Sequence, residues 1–153
     1  MSFPIWHVKP HPRRSFWRRH SLSFVSGGIV LTLIALYART DPNTHHGSFF
    51  GNAIADWSGV FIMVLATKWF YEIGSEESRK YPKGSVPGFL REHSLTIFLL
   101  VTGAAWAYAF SQMDVNGKWG SVVGNLVSEW TQTLGTVLMT KWFIEVGSKE
   151  SKK

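Results

Sequence analysis

Leu22-Ser-Phe-Val-Ser-Gly-Gly-Ile-Val-Leu-Thr-Leu-Ile-Ala-Leu-Tyr37 carries no charge and is apolar around its whole circumference. A helix packed in a soluble protein keeps one wet face, and this stretch has none. Three further apolar runs follow at about 52–73, 95–112 and 122–146. With the first, at 22–38, each has roughly the 17 to 25 residues needed to cross about 30 Å of hydrocarbon. The expectation is an all-α integral membrane protein with four transmembrane helices. About twenty polar and basic residues precede the first run and no small-residue cleavage site follows it, so it reads as an uncleaved anchor.

Composition agrees with lipid. Of 153 residues, 15% are aromatic, including 8 Trp, and 17% are charged. The mean hydropathy of +0.01 averages very polar ends with very apolar runs. There is no Cys, which excludes disulfides, zinc–thiolate sites, iron–sulfur clusters and thiol catalysis. The 16 Lys and Arg against 10 Asp and Glu would suit nucleic acid or an anionic membrane surface. Their placement favours the membrane. Lys9, Arg13, Arg14, Arg18, Arg19, Arg79, Lys80, Lys83, Arg91, Lys149, Lys152 and Lys153 all fall on one side of the four runs, and only Arg39 and Lys118 fall in the opposite loops. The positive-inside rule then puts both termini in the cytoplasm of a bacterial inner membrane, with no nucleic-acid partner.

The chain is also a duplication. Shifted by 73 residues, 16–80 aligns with 89–153 without a gap, and 24 of the 65 pairs are identical. The matches gather at Phe16-x-Arg18-x-His20-Ser21-Leu22, at Gly47-Ser48-x-x-Gly51-Asn52 with Trp57, and at Thr67-Lys68-Trp69-Phe70-x-Glu72-x-Gly74-Ser75-x-Glu77-Ser78, each with its second copy. The organisation is therefore a basic tail (1–15), a first hairpin repeat (16–80), a linker (81–88) and a second hairpin repeat (89–153). Each unit holds an even number of crossings, so the copies run parallel, related by an axis along the membrane normal. The repeated Asn, acid and Trp, with the ending Gly-Ser-x-Glu-Ser-(Lys/Arg), resemble an uncharacterised family of small bacterial membrane proteins with two tandem transmembrane hairpins, classed as a domain of unknown function. Ser128-Glu129-Trp130-Thr131-Gln132 and Gly147-Ser148-Lys149-Glu150-Ser151-Lys152 carry the likeness most strongly, and His20 and His93 depart from it. The resemblance implies a paired-hairpin membrane fold and supplies no ligand or catalytic residue.

Several repeated residues invite a role. Gly74 and Gly147 stand where a left-handed helix C-cap needs Gly. Trp57 and Trp130, one turn inside the outer ends, and Trp69 and Trp142 near the inner ends read as two aromatic belts, or as stacking surfaces for a pigment. Lys68 with Glu72, and Lys141 with Glu145, are four apart and expected to pair on one helix face at the cytoplasmic end. Asp56 and Glu129 are matched intramembrane acids, expected just inside the outer boundary. Glu129, Gln132, Thr136 and Thr140 form a polar stripe, matched in the first copy by Asp56 and Thr67 but interrupted there by Gly59 and Met63. Ser23, Gly27 and Gly28 in the first span and Thr102, Gly103, Ala104 and Ala107 in the third are small, so these two spans are the expected packing centre. His20 and His93 are the candidates for a shared haem, and a bound lipid or pigment is compatible with the aromatic surfaces. No phosphate loop, nucleophile elbow, metalloprotease motif or dinucleotide fingerprint occurs. The expectation is a non-enzymatic accessory or scaffold subunit meeting the bilayer and other membrane subunits or further copies of itself. A proton- or ion-linked transporter using Asp56 and Glu129 is the alternative, and a membrane cytochrome the third.

Overall fold

The computed structural model describes residues 15–78, 87–114 and 116–143. Among them the chain forms five helices and no strand: α1 (Phe16–Arg39), α2 (His45–Trp69), α3 (Gly88–Glu92), α4 (Ser94–Gln112) and α5 (Lys118–Trp142). The fifth element is the short α3, which the hydropathy pattern does not announce. The basic tail, most of the linker, Glu145 and Gly147 lie outside the described residues.

Among the described residues three helices are long and apolar enough to cross a membrane: α1, α2 and α4. Four spans are expected from the runs, and α5 is the one that falls short. Its 25 residues match α2 in length, but Asn125, Ser128, Glu129, Gln132, Thr133, Thr136 and Thr140 make one side of it polar.

The two copies start their second helices in the same way. Asp41 Oδ1 accepts from the Asn43 backbone N–H and Asp114 Oδ1 from that of Asn116, both at 2.9 Å. These matched Asx turns reverse the chain after α1 and α4. In the first copy Thr44 then caps α2, its hydroxyl accepting from Gly47 N–H at 3.1 Å.

Long helices pack as α1 on α2, α2 on α5, and α5 on α4. The expected packing centre is thus displaced from the first and third spans to the second and fourth. Side-chain size explains it, because α2 buries Gly51, Ala55 and Gly59 in one line, and Gly51 and Gly59 lie against Val122 and Glu129 of α5, so the two helices approach closely. In contrast α1 buries only Ser26 and Tyr37, and α4 only Leu95 and Leu99. Tyr37, Ile54, Ala55, Leu99, Leu126, Trp130 and Val137 make the core between the copies.

Both central helices end before the expected Gly. Phe70 and Phe143 turn extended (φ −106°, ψ 152° and φ −106°, ψ 147°) and leave Trp69 and Trp142 as the last helical residues. Gly74 does take a left-handed conformation, φ +80°, but in a turn beyond the helix, so it is not the C-cap of α2. Beyond α2 the backbone finds other partners: residues 71–73 pair with the start of the second copy, Ile73 N–H donating to the Glu92 carbonyl at 2.8 Å and Leu95 N–H to the Tyr71 carbonyl at 3.0 Å.

Candidate functional site

The α2–α5 contact brings equivalent residues of the two copies face to face, which a parallel pair related by an axis along the helices requires. Asn125 Nδ2 donates to Asn52 Oδ1 at 2.6 Å. One helical turn further on, Asp56 and Glu129 lie within reach of each other's charge. With Ser128, these four residues line a cavity of about 280 Å³. Asn52 and Asn125 also form the floor of a second cavity of about 280 Å³, which rises between the two Asx turns and is lined by Asn43, Ser48, Asn116 and Ser121. The two cavities form one polar seam, running from the loop end of the bundle to the acids.

Depth along the helices differs from the hydropathy reading. Because α2 starts at His45 and α5 at Lys118, Asp56 and Glu129 are each the twelfth of 25 residues, at the middle of the helix rather than just inside an end. Asn52, Asp56 and Ser128 are exposed, so the seam opens on the outside of the bundle. Gly59 lies beside this pair: a Cβ there would sit 3.4 Å from Glu129 Oε2, an ordinary contact distance.

The Trp belts fare differently at the two ends. Trp130 is 5% exposed, stacks edge-on against Trp106, and donates from Nε1 to Thr102 Oγ1 at 2.8 Å, so it is a core residue and not an interface anchor. Trp57 lies at mid-helix, while Trp69 and Trp142 end their helices with exposed rings. Lys68 and Lys141 lie over those two rings, 5.6 and 5.7 Å from the centroids.

The polar stripe does not form a chain of linked side chains. Thr67 and Thr136 donate back to the carbonyls of Met63 and Gln132, at 2.7 and 3.0 Å. Gln132 is exposed. Thr140 alone is buried, its hydroxyl 3.0 Å from that of Ser75.

Glu72 does not pair with Lys68 along one helix, since it lies beyond the end of α2. It crosses to the second copy instead. Its Oε1 is 2.7 Å from His93 Nδ1 and 2.8 Å from Lys141 Nζ, and the side chain is 1% exposed. Burial alone would raise its carboxyl. Hydrogen bonds from Lys141 and His93, with the Lys141 charge, take it below the ordinary carboxylate range. Lys68 goes to Ser23 Oγ at 2.9 Å, with His20 Nδ1 at 3.4 Å.

Sequence reading selected Asp56 and Glu129 but not Asn52 and Asn125, whose signal was their identity in both copies. It also missed the Glu72–His93–Lys141 cluster, which depends on where α2 stops. Among the described residues no three His, Asp or Glu side chains are grouped to hold a metal ion. His20 and His93 each stand beside the Lys of their own copy, the latter pair at 3.5 Å. Compared with known proteins, the chain matches no family model, no curated protein and no solved structure.

Proposed function

We propose that this chain is a non-enzymatic, four-span protein of a bacterial cytoplasmic membrane, in which α5 crosses beside the three apolar helices and both termini lie inside, and that it serves as an accessory or scaffold subunit for other membrane proteins. This places it with the small two-hairpin proteins it resembles. The carrying observation is the seam of Asn52, Asn125, Asp56 and Glu129, which opens sideways halfway along α2 and α5. An acid facing acyl chains at mid-span costs roughly 2.5–3.5 kcal/mol by insertion scales, so a seam of this kind calls for a covering surface. A second membrane segment supplies one, with the two amides as hydrogen-bond partners.

The test is extraction in a mild detergent followed by native mass measurement. The wild-type chain comes out with stoichiometric subunits, and Asp56→Asn with Glu129→Gln loses them. A wild-type chain that runs alone as a monomer contradicts the reading.

A second reading, proton- or ion-linked transport through Asp56 and Glu129, is favoured by the shared Asn floor that joins the loop-end cavity to the acids. Reconstituted vesicles decide it: the double neutral variant abolishes flux if the acids carry the ion, and unchanged flux ends that reading.

A further inference from the structure

We infer that the first repeat carries, at the end opposite the Asx turns, a docking cradle for the chain's own segment 144–151. It would be held there as 71–78 is held on the second repeat.

The visible half of this arrangement is a strap. After Phe70, Tyr71 N–H donates to Ser94 Oγ at 2.8 Å, Leu95 N–H and Ile73 N–H make the two backbone bonds between the copies, and Glu72 enters the His93–Lys141 site. Leu95 is wholly covered and belongs to the hydrophobic core.

Every recognition element has a counterpart 73 residues away. His20, Ser21 and Lys68 correspond to His93, Ser94 and Lys141. The side-chain corner of the cradle is in place, Lys68 Nζ lying 3.4 Å from His20 Nδ1 as Lys141 Nζ lies 3.5 Å from His93 Nδ1. Leu22, the counterpart of Leu95, is 64% exposed. Among the described residues no carboxylate forms an ion pair with Lys68.

The occupant follows from two observations. Residues 144–151 repeat the strap's chemistry, with Glu145, Gly147, Ser148, Glu150 and Ser151 in the places of Glu72, Gly74, Ser75, Glu77 and Ser78. Phe143 also leaves α5 with the backbone angles of Phe70, each N–H bonded to the carbonyl four residues back at 2.8 Å. One residue then separates Phe143 from Glu145, as one separates Phe70 from Glu72, and α5 packs against α2, which carries Lys68. Short reach favours the segment of the same chain over that of a second copy.

The copies differ in one respect. The second repeat is broken at His93, which frees the Glu92 carbonyl and the Leu95 N–H for the strap, whereas α1 runs unbroken through His20. Docking of 144–151 therefore opens the first turn of α1 at His20, giving the break already seen between α3 and α4.

The absence of Cys permits a clean test in native membranes. Ile73→Cys with Glu92→Cys, a backbone-bonded pair, is the positive control under mild oxidation, since such neighbours lie within disulfide reach. Arg19→Cys with Val146→Cys is the matching pair in the first repeat. The inference expects an intramolecular bridge at no less than about half the control's yield, reduced several-fold when Glu145→Gln is added. It is overturned if the control closes and the test pair does not, if only linked dimers form, or if Glu145→Gln leaves the yield unchanged.

Discussion

Replacing Glu72 by Gln keeps the shape and one acceptor but removes the only carboxylate that the described residues place against Lys141 and His93. Breaking a buried ion pair by removing one partner costs about 3–5 kcal/mol when the remaining charge is fully buried. Lys141 keeps some solvent contact, 16% of its side chain, and can turn outward, which brings the expected loss to roughly 2 kcal/mol. For a domain of this size that is a fall in Tm of about 4–8 °C. The pH dependence carries the same signature. Because the carboxyl titrates below its ordinary value near 4.5, its contribution is fully present above that value and fades only as pH falls through the lowered one. Thermal unfolding followed by circular dichroism in a mild detergent, from pH 7 down to 3, should show a flat wild-type curve to about pH 5 and then a decline. The decline should be shallower in Glu72→Gln. A variant that melts within 1 °C of wild type, with the same acid limb, would refute the assignment of Glu72 as the tie between copies.

Three further outcomes follow from particular contacts. Trp130→Ala empties the centre of the core, so it should cost about 3–5 kcal/mol in the same melt, whereas Trp142→Ala, exposed at a helix end, should cost under 1. Tyr37 donates to the Lys118 carbonyl across the copies at 2.5 Å, and Tyr37→Phe should lose about 1 kcal/mol without changing the helical content. The purified protein should show no Soret band, since the accessory reading needs no haem at His20 and His93; a band that vanishes in His93→Ala would replace that reading with a cytochrome.

Much of this fold is legible in the residues because hydropathy and internal repetition act at long range along the chain. The 73-residue shift alone predicts that Asn52 faces Asn125 and Asp56 faces Glu129 once the copies meet through equivalent helices. What it cannot choose is which helices meet. Small residues occur in all four runs, and those of α2 win because they lie on the face that also presents the Asn and the acid. Helix ends were hidden for a different reason. Past Phe70 the chain is held by hydrogen bonds of Tyr71 and Ile73 with Glu92, Ser94 and Leu95, far along the chain, and no local capping rule carries that information. Once Phe70 ends α2, Glu72 no longer sits four residues above Lys68 on a helix, and its pairing passes to the other copy. Trp130 was misplaced by the same kind of error, because the apolar run began several residues after the helix does.

Topology is the claim on which the seam, its cover and the basic ends all depend, and single-Cys labelling in the Cys-free chain tests it most directly. With a membrane-impermeant maleimide applied from outside intact spheroplasts, Asn43→Cys and Asn116→Cys should label, while Ser2→Cys and Ser151→Cys should label only after permeabilisation. Labelling of either terminal Cys in intact cells, or recovery of the chain from the aqueous fraction without detergent, would contradict the account.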